Sequence, residues 1–147
     1  MHPAASVAAA VLCAALALGL TPNAYLLGTP RSRMPQYRFR EIIEREGGES
    51  LLNYGFLDGG YYTVCGIAPS CRFFCGLNIP LPELQEEQRS CLREQAVDFA
   101  VSYWENPPAA GYTLVSQAEI YFEGKIRTYY LFEADRLIER NRQAAGQ

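Results

Sequence analysis

From Ala4 to Leu20 the chain reads AASVAAAVLCAALALGL, a run with no charge and Ser6 as its one polar side chain. A helix that is apolar on every side has to be surrounded by other apolar matter. In hydrocarbon such a helix satisfies its own backbone groups, and roughly 20 apolar residues cross the bilayer core. The run lies at the short edge of that range, and AYLLG, Ala24 to Gly28, extends it beyond Pro22. A membrane helix is the favoured reading. A signal peptide competes: Ala15 and Ala17 suit a small-residue cleavage pattern, but the start lacks a basic region beyond His2. A buried helix of a soluble protein is the third reading, and it needs a larger body to hide in. Arg31, Arg33, Arg38 and Arg40 follow the run, and the positive-inside tendency would put them in the cytoplasm.

What remains of the 147 residues suffices for one domain with its own core. The expected organisation is a hydrophobic helix over 1–28, a linker over 29–36, an α/β domain over 37–135 and a polar tail over 136–147. A net charge of −3 with mixed signs argues against a nucleic-acid partner, which needs a basic surface. Cys13 falls in the apolar run and reads as a small filler. Cys65, Cys71, Cys75 and Cys91 are either buried free thiols or, in an exported domain, disulfide partners with three possible connectivities. A zinc site is disfavoured by the absence of C-x-x-C and by His2 being the sole histidine, so no metal and no cofactor is expected.

Periodicity organises the remainder. QYRFREIIEREGG carries Phe39, Ile42 and Ile43 at helical spacing and stops at Gly47-Gly48. SLLNYGF reads as a short buried strand, and GGYYTVCGI as a helix with Asp58 near its N-cap. CRFFCGLN reads as a second strand, on which Cys71 and Cys75 would share a face about 13 Å apart, too far for a direct disulfide. IPLPELQEEQRSCLREQ is the clearest helix, with Pro82 in its first turn and Leu84, Gln88, Cys91 and Leu92 on one face. VDFAVSYW alternates as a strand, ENPPAAG is a loop, and residues 112–134 form a hairpin turning at Glu123-Gly124-Lys125. The tail DRLIERNRQAAGQ is polar, a frayed helical end. This order predicts an α/β fold in three layers: a partly parallel sheet with a C-terminal antiparallel hairpin, preceded by one hydrophobic helix.

In open sheets of this kind ligands favour the loops at the carboxyl ends of the strands. NYGFLDGG and GLNIPLPE qualify by that rule. The candidate ligand-binding residues are Asn53, Tyr54, Asp58, Gly59, Gly60, Tyr61 and Asn78. The amides and the carboxylate offer hydrogen bonds to a sugar, the tyrosines offer stacking, and the glycines allow close backbone approach. The same residues also suit a plain strand-to-helix corner. The loop matches neither a dinucleotide-binding fingerprint nor a phosphate-binding P-loop. With His2 ahead of the apolar run, no Ser or Cys has a histidine partner, and no catalytic residue is assigned.

Taken together, LLNYGFLDGGYYTVCGIAPSCRFFCGLNIPLPELQEEQ, then VDFAVSYW, YTLV and YYLF, resembles the soluble C-terminal region of bacterial polytopic glycosyltransferases of the GT-C type. These are similar to protein O-mannosyltransferases and aminoarabinose transferases. The likeness runs from Tyr37 to Phe132. It implies a single-pass cell-membrane protein whose domain lies outside the cytoplasm, against the basic flank. Its implied role is accessory, binding or structural, in a glycosyltransferase that uses polyprenyl-phosphate sugars. Its implied partners are the membrane, a lipid-linked sugar or glycan, and a polytopic membrane subunit. The family's catalytic acids lie in loops between early membrane helices, for which this chain has no match, so none is carried over. The alternative is an independent small sugar-binding protein or enzyme using the Asp58 loop.

Overall fold

Every residue of β2, Phe99–Ser102, is buried, as expected of a strand covered on both faces. The computed structural model describes residues 3–21, 28–76, 81–122 and 124–146. Its four-stranded sheet runs β1-β2-β4-β3, with β1 at Leu51–Asn53, β3 at Tyr112–Phe122 and β4 at Lys125–Ala134. β1 pairs parallel to β2, Leu51 opposite Phe99, and the other pairings are antiparallel. The fold is α/β. One arm of the hairpin, β4, lies inside the sheet rather than at its edge.

Helices cover both faces. Leu51, Phe99, Val101 and Leu131 point to one side, where they meet Phe39 and Ile43 of α2 (Pro35–Arg45), Tyr61 and Tyr62 of α3 (Gly60–Cys65) and Leu137 of α5 (Asp135–Ala145). Leu52, Ala100, Phe132 and Ala134 point to the other, where they meet Leu92 of α4 (Pro82–Arg93) and Val97. The alternation is the two-residue period of a strand. The residues read as a polar tail form α5, which is anchored by the buried Leu137 and by an Asn141 amide that donates to the Glu46 carbonyl at 2.9 Å.

The expected second strand is not formed over its described residues, 71–76. Among the described residues a single backbone bond, from the Asn53 N–H to the Phe74 oxygen at 3.1 Å, joins it to β1, and side chains take the rest: Gln88 Nε2 donates to the Phe73 oxygen at 3.0 Å, and the Tyr62 hydroxyl also meets the Phe74 oxygen. Cys71 is bonded to Cys91 of α4, and Cys65 and Cys75 are free thiols. Burial pushes the Cys65 thiol up to about 11 and the Cys75 thiol in the same direction, which keeps both protonated at neutral pH. Gly76 crosses so close to the backbone of Phe56 that an added Cβ would lie 2.8 Å from its nitrogen.

The chain divides into two units, Met1–Pro30 and Arg31–Gln147. In the first, α1 (Pro3–Leu20) leaves Val7, Val11, Leu12, Leu16, Leu18 and Leu20 exposed. Its 18 residues give a length of about 27 Å. Among the described residues no helix is long and apolar enough to cross a membrane.

The parallel register of β1 on β2 is set where the two strands begin. Asp98 Oδ2 accepts the N–H groups of Glu49 at 2.9 Å and Ser50 at 3.2 Å, while the Asp98 N–H donates to Ser50 Oγ at 2.8 Å. Arg136 of α5 meets Asp98 Oδ1 at 2.8 Å. Burial opposes the charge on Asp98, but the bonds from Glu49 and Ser50 and the Arg136 guanidinium outweigh it and hold the carboxyl below its usual range. Such a group stabilises the fold above its unfolded value of about 4, and the contribution is lost as pH falls through the lower folded value. Asp98→Asn is expected to cost about 1–3 kcal/mol in urea unfolding at neutral pH. It should also flatten the acid limb of stability against pH. An unchanged acid limb would assign that limb to another group.

Candidate functional site

A cleft of about 580 Å³ opens at the carboxyl ends of the parallel pair, the edge where ligands are expected. One wall is Tyr54 and Gly55, immediately after β1. A second is Ser102 at the end of β2, with Trp104 and the loop residues Asn106, Pro107 and Pro108. The third is Leu81, the N-cap of α4, with Leu84, Gln85, Gln88 and Arg89 of that helix, at the spacing of one helix face.

The aromatic floor is built on a glycine. Gly55 has φ +80°, and its missing side chain makes room for the Trp104 ring, which an added Cβ would approach to 2.5 Å. Tyr54 meets Trp104 edge to face, with ring centroids 5.7 Å apart. The Trp104 N–H donates to Ser102 Oγ at 3.0 Å, which fixes the turn out of β2. Trp104 nevertheless stays 54% exposed, an aromatic face open to a ligand in a protein with no other tryptophan.

Gln88 holds the walls together. Its Nε2 lies 3.3 Å from the Asn53 carbonyl and 3.0 Å from that of Phe73, and its Oε1 accepts the Gly55 N–H at 3.3 Å. The amide is buried and its bonding capacity is spent on backbone, so it shapes the cleft rather than offering itself to a ligand. Gln85, Arg89 and Asn106 are exposed at the rim.

The residues singled out from sequence separate. Tyr54 lines the cleft. Asn53 is buried: its Nδ2 donates to the Asp58 carbonyl, its N–H points to the Phe74 oxygen at 3.1 Å, and Oδ1 has no partner among the described residues. Asp58 Oδ1 accepts the Gly60 N–H at 2.8 Å and Oδ2 accepts the Gln36 amide at 3.1 Å, so its carboxylate secures the entrance to α3. The N-cap position itself is Gly59. Tyr61 is fully buried, stacked on Phe39 with centroids 5.9 Å apart, and burial pushes its phenol well above the usual range. Asn78 lies outside the described residues. The Asp58 loop is thus knitted to itself and to α2.

Sequence reasoning passed over Trp104, Ser102, Gln85, Gln88, Arg89 and Asn106. The available signal was a solitary tryptophan at the end of a predicted strand, followed by Glu-Asn-Pro-Pro. The parallel partner of β1 is β2, so the second carboxyl-edge loop is the one that follows Ser102.

No family model matches the chain, and neither a curated protein nor a solved structure matches it.

Two substitutions test the construction of the cleft. Gly55→Ala should lift the indole from the backbone, moving Trp104 emission toward that of a fully solvated tryptophan at a cost of about 1–3 kcal/mol. Gln88→Leu leaves three backbone groups without their partner and is expected to cost about 2–4 kcal/mol in chemical denaturation. A loss under 1 kcal/mol would mean, by that scale, that water replaces the amide.

Proposed function

We propose that this chain is a membrane-anchored extracytoplasmic accessory domain that binds glycan, in the manner of the C-terminal region of a polyprenyl-phosphate-sugar glycosyltransferase. The observation that carries the reading is the Tyr54–Trp104 cleft at the carboxyl edge of the parallel strands. Aromatic faces stack on the apolar faces of sugar rings, and the planar amides of Gln85 and Asn106 suit hydroxyl groups. The described residues lining the cleft include no carboxylate, imidazole or thiol, which favours binding over acid–base or thiol chemistry.

Two further features support the placement. The Cys71–Cys91 bond suits an oxidising compartment, against the basic flank that follows α1. The uncharged run over α1, lengthened in sequence by Ala24 to Gly28, supports an anchor. The alternative site at the Asp58 loop is disfavoured because Asp58, Asn53 and Tyr61 are engaged or buried within the domain.

Placement and binding are tested separately. A cysteine introduced by Lys125→Cys, at an exposed position, should react with a membrane-impermeant maleimide on intact cells; labelling only after lysis would remove the outside placement. The full chain in mild detergent should release heat on titration with cell-envelope oligosaccharides. That heat should disappear in Trp104→Ala while far-UV circular dichroism is retained. Equal heats from both proteins would remove the cleft as the glycan site.

A further inference from the structure

The cleft carries a charge that neutral sugars do not need. Its described lining includes one cation, Arg89, and no acid, although the protein as a whole is at −3. The two carboxylates nearest Arg89 on α4 are turned to other partners, while Glu105 stands exposed between Trp104 and Asn106. Glu86 is bonded to Arg93 at 2.7 Å, and Glu87 lies 3.9 Å from Arg72. Glu86 stands one helical turn from Arg89, which adds to its depressed pKa, but Arg93 is the larger cause. Arg89 itself makes no ion pair among the described residues, and it lines the cleft together with Gln85 of the same helix and with Trp104 and Asn106. A guanidinium left unpaired at the rim of an aromatic cleft is a fork for a planar or tetrahedral anion.

From this geometry we infer that the ligand is an acidic saccharide, its ring against Trp104 and its anionic substituent on Arg89. The inference rests on the glycan-binding reading above and narrows it. A carboxylate on a uronic acid and a phosphate ester on a sugar offer the same chemistry to Arg89, namely two oxygens for two N–H donors. Trp104 supplies the selectivity against a bare anion, because inorganic phosphate has no face to stack.

The sole tryptophan makes the test direct, since its emission reports the cleft alone. The full chain in mild detergent is titrated with a glucuronic-acid oligomer, glucose 1-phosphate, a neutral glucose oligomer and inorganic phosphate. At least one acidic sugar should shift Trp104 emission at concentrations at least about tenfold below those needed for the neutral oligomer. Arg89→Gln should remove that advantage, and added salt should act in the same direction. Which acidic sugar binds separates carboxylate from phosphate. Equal binding of neutral and acidic oligomers, unaffected by Arg89→Gln, overturns the acidic ligand and leaves the glycan cleft standing. Inorganic phosphate binding as well as glucose 1-phosphate overturns the stacking half of the inference. No response to any saccharide, in emission or in heat, overturns both this inference and the function it rests on.

Discussion

The sheet depends on a strand too short to hold itself. β1 pairs for three residues, and three parallel pairings are weak support for the strand that begins the sheet. Both of its ends are therefore secured by side chains. At the start, Asp98 takes the N–H groups of Glu49 and Ser50 while Arg136 steadies the carboxylate. At the end, the Tyr62 hydroxyl reaches the Leu51 oxygen at 3.0 Å and the Asn53 N–H at 3.3 Å, and Gln88 takes the Asn53 carbonyl. Four elements outside the strand, α3, α4, the β2 entrance and α5, converge on it. The cleft opens where that convergence stops.

Much of this architecture was legible in the sequence. Pro82, followed by Leu84, Gln88 and Leu92 at helical spacing, marks α4, and all three of the later residues are buried. Phe39 and Ile43 mark α2 in the same way, and the alternation of aromatic and β-branched residues marks the hairpin. The segment from Cys71 misled because its apolar residues suit a strand, while its fate was decided by partners distant in sequence. Gln88 and Tyr62 capture its carbonyls, and no local pattern announces that. α5 is hard to see in the sequence because Leu137 is its one buried residue, set among charges.

The candidate site was legible as an edge and not as a set of residues. The rule that ligands gather at carboxyl ends of parallel strands points to the loop after Asn53, and Tyr54 is indeed in the cleft. The polar residues that looked most ligand-like were needed nearer home: Asn53 and Asp58 tie the loop to its own backbone. Side chains with short reach and several bonding groups are often consumed where the chain turns most sharply. The exposed lining comes instead from Gln85 and Arg89 of α4 and from Trp104 and Asn106 after β2.

The Cys71–Cys91 bond has a consequence for how the two parallel strands find each other. Between Asn53 and Phe99 the chain must cross over, and the bond short-circuits a stretch of 20 residues within that crossover. The effective loop that has to close is shortened by nearly half, which lowers its closure entropy by about 0.5 kcal/mol. The bond needs neither β3 nor β4, since both cysteines precede them in the chain. Oxidation thus modestly favours closure of the crossover that brings β1 to β2, and does so without a contribution from the hairpin.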